Sequence, residues 1–244
     1  MFRFICVVTT VVTFLILSIP LLIAEWIIGK FNPTLKDKSS KAVIQWAFGF
    51  CLKISGVEVT YIGKERIPTD TAVLYVPNHT SAFDILLTYV QMPSPTGYVA
   101  KDSLQKWPLL SNWMRNIHCL FLDRSNIKEG MKMILAAIEK MKSGISICIF
   151  PEGTRNKEKD SFLPFHAGSF KIAEKSHCPV VPVAIVNASA MFEDQFPKIK
   201  PVRVIIEYGE PIYPDQLDKA QKKNLCGMTE AEIKRMYFKN KELL

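Results

Sequence analysis

From residue 57 to residue 208 the chain alternates short apolar runs with stretches of helical periodicity, a rhythm that restricts it to layered sheet and helix. Residues 57–62 alternate with period two, and 72–76 form a short apolar run that ends at Pro77. Residues 81–90 have helical spacing, and 120–122 read as a short buried strand. Asn126 with Glu129 three residues on resembles a capping box. Met131, Ile134, Leu135, Ile138 and Met141 then mark one face of a helix that Gly144 closes. Residues 145–150, 180–185 and 202–208 read as further strands, with a short helix at 167–175. The sequence therefore predicts an α/β domain, layered around a mixed sheet, over residues 57–212. It has no internal repeat and no low-complexity segment. Residues 213–244 are polar and mixed in charge, which predicts a helical tail with a solvated face.

Ahead of this domain, residues 4–23 are apolar apart from Thr9, Thr10, Thr13, Ser18 and Pro20. A helix needs about 20 such residues to span a bilayer, so residues 1–28 read as a retained membrane-anchoring helix, with Pro20 able to kink it. Only Arg3 precedes the run, whereas Lys30, Lys36, Lys38 and Lys41 follow it, which predicts that the body of the protein lies on the cytoplasmic side. Residues 29–56 read as a basic linker with a helix at 41–54, either interfacial and amphipathic or an ordinary core helix.

The formal charge of +8 points to an anionic partner such as a phospholipid headgroup or a phosphorylated substrate. There is no run of five basic residues, so no nucleic-acid partner is expected. Cys6, Cys51, Cys119, Cys148, Cys178 and Cys226 show no CxxC or zinc-finger spacing, and read as small buried hydrophobes rather than disulfides or metal ligands.

Two loops hold candidate chemistry. Asn78-His79-Thr-Ser-Ala-Phe-Asp84 stands where a strand gives way to a helix, the end of an α/β sheet at which ligands gather. An imidazole there can act as a base, and a carboxylate on its other nitrogen would fix the tautomer and stabilise the imidazolium. On these residues alone, Ser81 and Asp84 also read as a helix cap and His79 as a loop histidine. Phe150-Pro-Glu-Gly-Thr-Arg155 follows a buried strand; Gly153 allows a close backbone approach, and Arg155 suits phosphate. By itself it also reads as a surface turn with a Glu–Arg pair.

In the order NHTSAFD, FLDR, FPEGTR, VVPVAI, the chain resembles the glycerolipid acyltransferases, specifically the lysophosphatidate acyltransferases. The resemblance covers residues 78 to about 185. It implies acyl transfer from a thioester, acyl-CoA or acyl carrier protein, to the sn-2 hydroxyl of lysophosphatidic acid at a membrane, with no cofactor and no metal. It implies His79 as general base and Asp84 as its partner. Lys101, Arg124, Glu152, Gly153, Thr154 and Arg155 are implied at the glycerol phosphate. The chain departs from the family pattern at Ser111, at Ile117-His118-Cys119 and at His166. Another acceptor, such as a different lysophospholipid or an acylated amine, and a non-catalytic lipid-binding relative are the competing readings. A metal-dependent hydrolase lacks a second histidine at ligand spacing.

Overall fold

The computed structural model describes residues 1–123 and 126–244. Among them, β1 (Glu58–Ile62), β2 (Leu74–Pro77), β3 (Thr96–Lys101), β4 (Leu120–Leu122), β5 (Ser146–Cys148), β6 (Val180–Val186) and β7 (Arg203–Tyr208) form one sheet, ordered β1-β7-β6-β2-β5-β3-β4. All neighbours are parallel except β6 and β7, so the sheet is mixed, with β1 and β7 running against the rest.

Helices cover both faces, and for that reason β6 is apolar throughout rather than alternating. Its Val181, Val183 and Ile185 enter a core shared with Tyr75 of β2 and with α3 (Pro33–Ser55). Val180, Ala184 and Val186 enter the opposite core, against α6 (Ile127–Lys142), α7 (Lys171–Ser176) and α9 (Leu225–Lys241). Pro182 is tolerated in this central strand because it faces Gly209, one residue past the end of β7. Its carbonyl accepts from Gly209 N–H at 2.9 Å, and the missing donor falls beyond the antiparallel ladder.

β3 and the following α5 (Pro108–Asn116) were not anticipated by the sequence pattern. Gly97 in β3 lies so close to the turn before β4 that a Cβ would stand 2.2 Å from the His118 carbonyl oxygen. A strand carrying such a glycine forfeits part of its apolar signature.

The apolar N-terminal run divides at Ser18 into α1 (Phe2–Leu17) and α2 (Ile19–Phe31), bent by 50°, with Pro20 in the first turn of α2. Among the described residues no single helix is long and apolar enough to cross a membrane; only α1 and α2 together reach that length and composition. The stretch at 41–54 lies within α3. One face of α3 buries Ile44, Ala47, Cys51 and Leu52, while Trp46 and Phe50 stack on each other in the open.

The C-terminal stretch is helical, with α8 (Lys219–Lys223) and α9, but it is not simply a solvated face. Leu225, Thr229, Ile233, Met236, Tyr237 and Asn240 of α9 are buried against β6 and β7, a stripe obscured in the sequence by the lysines that flank it. Glu207 of β7 is buried as well, held by Lys239 Nζ at 2.7 Å and by Asn240 Nδ2 at 2.6 Å. Ile233→Ala should therefore cost about 2–5 kcal/mol in denaturant unfolding, the range for truncating a core isoleucine. A cost below about 0.5 kcal/mol would restore the solvated tail.

Candidate active site

β2, β3, β5 and β6 are aligned, so the loops that leave their carboxyl ends meet on one edge of the sheet. Pro77 ends β2, and Asn78 extends the pairing with its side chain. Asn78 Nδ2 donates to the Ile185 carbonyl at 3.0 Å, and Ile185 N–H donates to Asn78 Oδ1 at 2.8 Å. The chain is thus fixed one residue before His79.

His79 Nδ1 lies 2.9 Å from Asp84 Oδ2. The same oxygen accepts the backbone N–H of Thr80 and of Ser81, each at 2.8 Å. Three donors on one oxygen place the shared hydrogen on Nδ1 and leave Nε2, which makes no hydrogen bond among the described residues, as the basic nitrogen. Asp84 is wholly buried at the start of α4 (Asp84–Tyr89), where unpaired backbone N–H groups favour a carboxylate. The His79 ring stacks on Phe150, with centroids 3.9 Å apart, so its plane is set by packing as well as by Asp84. The helix-cap reading of Ser81 and Asp84 gives way to a hydrogen-bonded pair with the histidine.

The 150–156 loop clamps the same histidine through its main chain. Glu152 Oε1 accepts His79 N–H at 2.8 Å, and Asn156 N–H donates to the His79 carbonyl at 2.7 Å. Glu152 Oε2 accepts Leu163 N–H at 2.9 Å. Burial pushes the Glu152 carboxyl up, against the two N–H groups, which pull it down. Expected at the glycerol phosphate, Glu152 is instead buried with both oxygens on main-chain amides, and it shapes the site by holding His79. Gly153 has φ +71°, and a Cβ there would stand 3.1 Å from His166 Nε2, so the loop needs glycine.

Arg155 is half exposed on a cleft of about 780 Å³, which Thr80, Thr154, Asn187, Phe192 and Glu193 also line. Four basic and four acidic side chains line this cleft, and three pairs of them join. Arg155 Nη1 meets Glu193 at 3.1 Å, Lys159 meets Asp194 at 2.7 Å and Lys241 meets Asp160 at 2.6 Å. The cleft lining therefore carries no broad positive field. Lys101 ends β3, exposed, with no described hydrogen bond to His79, Glu152 or Arg155. Arg124 lies outside the described residues. Asn78, Asn156 and Glu193 were missed by the sequence reading. Asn78 opens the first motif loop and Asn156 directly follows the second, whereas Glu193 carries no sequence signal, because its partners are 38 and 111 residues away. Among the described residues no group of three or more His, Cys, Asp or Glu side chains is placed to hold a metal ion.

A protein-family model described as Acyltransferase matches residues 58–186. The 1-acyl-sn-glycerol-3-phosphate acyltransferase of Borreliella burgdorferi is 30% identical over 187 residues, 75% of this chain and 74% of that protein. The protein of the same name from Limnanthes douglasii is 29% identical over 174 residues, 71% of this chain and 58% of that one. The crystal structure of the 1-acyl-sn-glycerophosphate (LPA) acyltransferase PlsC from Thermotoga maritima superimposes with a TM-score of 0.82, over 96% of this chain and 92% of that one. At 24% identity that likeness is one of fold.

A glutamine at 152 would have to turn its NH2 toward one of the two N–H groups that the carboxylate accepts. Glu152→Gln should lower stability by about 1–3 kcal/mol in denaturant unfolding, the cost of a buried donor left unpaired. An unchanged or raised midpoint would show that relief of the buried charge outweighs the lost acceptor.

Proposed function

Because the chain belongs to the acyltransferase family, we propose that it moves a fatty acyl group from a thioester to the sn-2 hydroxyl of 1-acylglycerol 3-phosphate, giving phosphatidic acid. The single observation that carries this reading is the 2.9 Å contact of His79 Nδ1 with buried Asp84, which leaves Nε2 as the basic nitrogen one residue before Thr80 of the cleft wall. In the proposed reaction Nε2 takes the proton of the acceptor hydroxyl as its oxygen attacks the thioester carbonyl. Asp84 stabilises the imidazolium, and the proton then passes to the thiolate that leaves. No acyl-enzyme forms on a serine or cysteine. General-base catalysis of this kind is worth about 10²–10⁴-fold, and the positioning of two bound substrates contributes the rest. The names of the relatives support the acceptor, as do the free guanidinium donors of Arg155 on the cleft wall. The donor is acyl-CoA or acyl carrier protein, and no cofactor takes part.

Membrane attachment belongs to the same proposal, with the catalytic body on the cytoplasmic side. The outer faces of α1 and α2 expose Phe2, Ile16, Leu17, Ile23, Trp26 and Phe31, a larger apolar surface than a water-facing helix pair needs. Lys30 Nζ sits 3.6 Å from the centroid of the Trp26 ring, an amphipathic pair suited to a lipid headgroup layer. An apolar groove of about 760 Å³ runs between α1, α3 and α5; none of its lining residues belongs to the His79 site, so it supports lipid contact rather than chemistry.

The test is transfer of a labelled acyl group from its thioester to lysophosphatidate by detergent-solubilised protein. His79→Ala should lower kcat by about 10²–10⁴-fold with folding intact. Asp84→Asn should fall within the same range, because an amide oxygen can still accept the N–H groups but carries no charge to stabilise the imidazolium. Transfer undiminished without His79, or wild-type protein inert toward lysophosphatidate, would sink the reading.

A further inference from the structure

We infer that Glu193 is a positioning residue for the acceptor: it holds the Arg155 guanidinium against the turn that follows His79, with its free donors turned toward the phosphate. The inference rests on the proposed role of Arg155 as a phosphate ligand. One oxygen makes the connection. Glu193 Oε1 accepts the Ala82 N–H at 2.7 Å and the Arg155 Nη1 hydrogen at 3.1 Å. Ala82 lies midway between His79 and Asp84, so the acidic side chain ties the arginine to the turn that carries the proposed base.

The carboxylate is itself well held. Its loop leaves the carboxyl end of β6 through Asn187, at φ +69°, and brings the ring of Phe192 alongside. That ring stacks on Phe4 of α1 at 5.6 Å and meets Phe83 edge-on at 5.8 Å and Phe196 at 5.4 Å. Phe83 adjoins Asp84, so the loop is packed on the element that holds the catalytic carboxylate. Glu193 Oε2 is buried and makes no hydrogen bond among the described residues, which turns half of the carboxylate away from an incoming anion.

Arg155, by contrast, is restrained without being used up. A guanidinium has five N–H donors, and the described hydrogen bonds commit Nη1 alone. The ion pair is too exposed to add much stability, with side chains 49% and 22% accessible. What it supplies is orientation. A planar fork fixed at one nitrogen presents its remaining edge in one direction, and a small misplacement of such a group is costly to binding.

The experiment measures initial rates against lysophosphatidate and against monoacylglycerol, which lacks the phosphate, at a saturating acyl thioester. The variants are Arg155→Ala, Glu193→Ala, Glu193→Gln and the Arg155→Ala/Glu193→Ala double variant. Glu193→Ala should raise the lysophosphatidate KM about tenfold with kcat and the donor KM within about twofold, and should leave the monoacylglycerol KM unmoved. Glu193→Gln keeps an acceptor for Ala82 but loses the charge, and should raise the same KM; it decides the matter if the alanine variant does not fold. In the Arg155→Ala background the second substitution should add nothing. Equal losses in both backgrounds, a wild-type KM in Glu193→Gln, or a lowered KM in Glu193→Ala would each overturn the inference while leaving Arg155 as a ligand. An unchanged lysophosphatidate KM in Arg155→Ala would remove the role of Arg155 and this inference with it.

Discussion

The site depends on a buried carboxylate that faces main chain. Glu152 takes the N–H of His79 on one oxygen and that of Leu163 on the other, so the ends of β2 and β5 are joined where the proposed base stands. Burial raises the Glu152 carboxyl. A carboxyl whose folded pKa is raised favours the fold at low pH, and this contribution is lost as pH rises through the folded pKa. Ionised Glu152 is therefore held against its own desolvation, with two charge-assisted hydrogen bonds offsetting the cost. A glutamate there makes poor sense as a stabiliser and good sense as a device that fixes the height of His79 above the sheet. Asn156 N–H on the His79 carbonyl completes the clamp.

The same clamp explains what could be read from the sequence. The strands β2, β5 and β6 were legible because their residues are apolar and flanked by abrupt breaks at Pro77 and Pro151. His79 and Asp84 were legible because the motif that holds them is local; the five-residue gap is spanned by one side-chain contact. The main-chain hydrogen bonds of Glu152 were not legible, since a glutamate whose partners are 73 residues upstream and 11 downstream looks the same as one that faces substrate. β3 was hidden because its glycine serves the neighbouring turn rather than the strand. The buried stripe of α9 was hidden because β6 and β7, which cover it, are brought there only by the tertiary fold.

The pairing of charges in the cleft also bears on how an anionic lipid would be chosen. With lysines and acids interleaved from residue 155 to 160, and Glu193 and Asp194 opposite, long-range attraction is weak. Selection must then come from short, directed hydrogen bonds, which reward an arginine held at a fixed angle more than additional positive charge. The overall charge of +8 belongs elsewhere on the surface, where it suits a lipid headgroup layer better than it suits the reaction.

The N-terminal helices are not a detachable anchor. Val7 of α1 and Ile44 and Leu52 of α3 are buried in the same core as Tyr75 of β2 and Val183 of β6. Trp113 of α5 donates to Ser18 Oγ at the bend between α1 and α2, at 2.8 Å, so the break is part of the packed interior. Phe4 rests on Phe192, whose neighbour Glu193 reaches Arg155. A sequence boundary near residue 56 marks a change of composition, yet the packing runs straight across it. Under the proposed membrane seating, this shared core would fix the distance from the lipid surface to the cleft through side-chain packing and not through a tether. Both the acceptor and the product of the proposed reaction stay in the bilayer, and a rigid seat lets one hydroxyl meet His79 without the lipid leaving it.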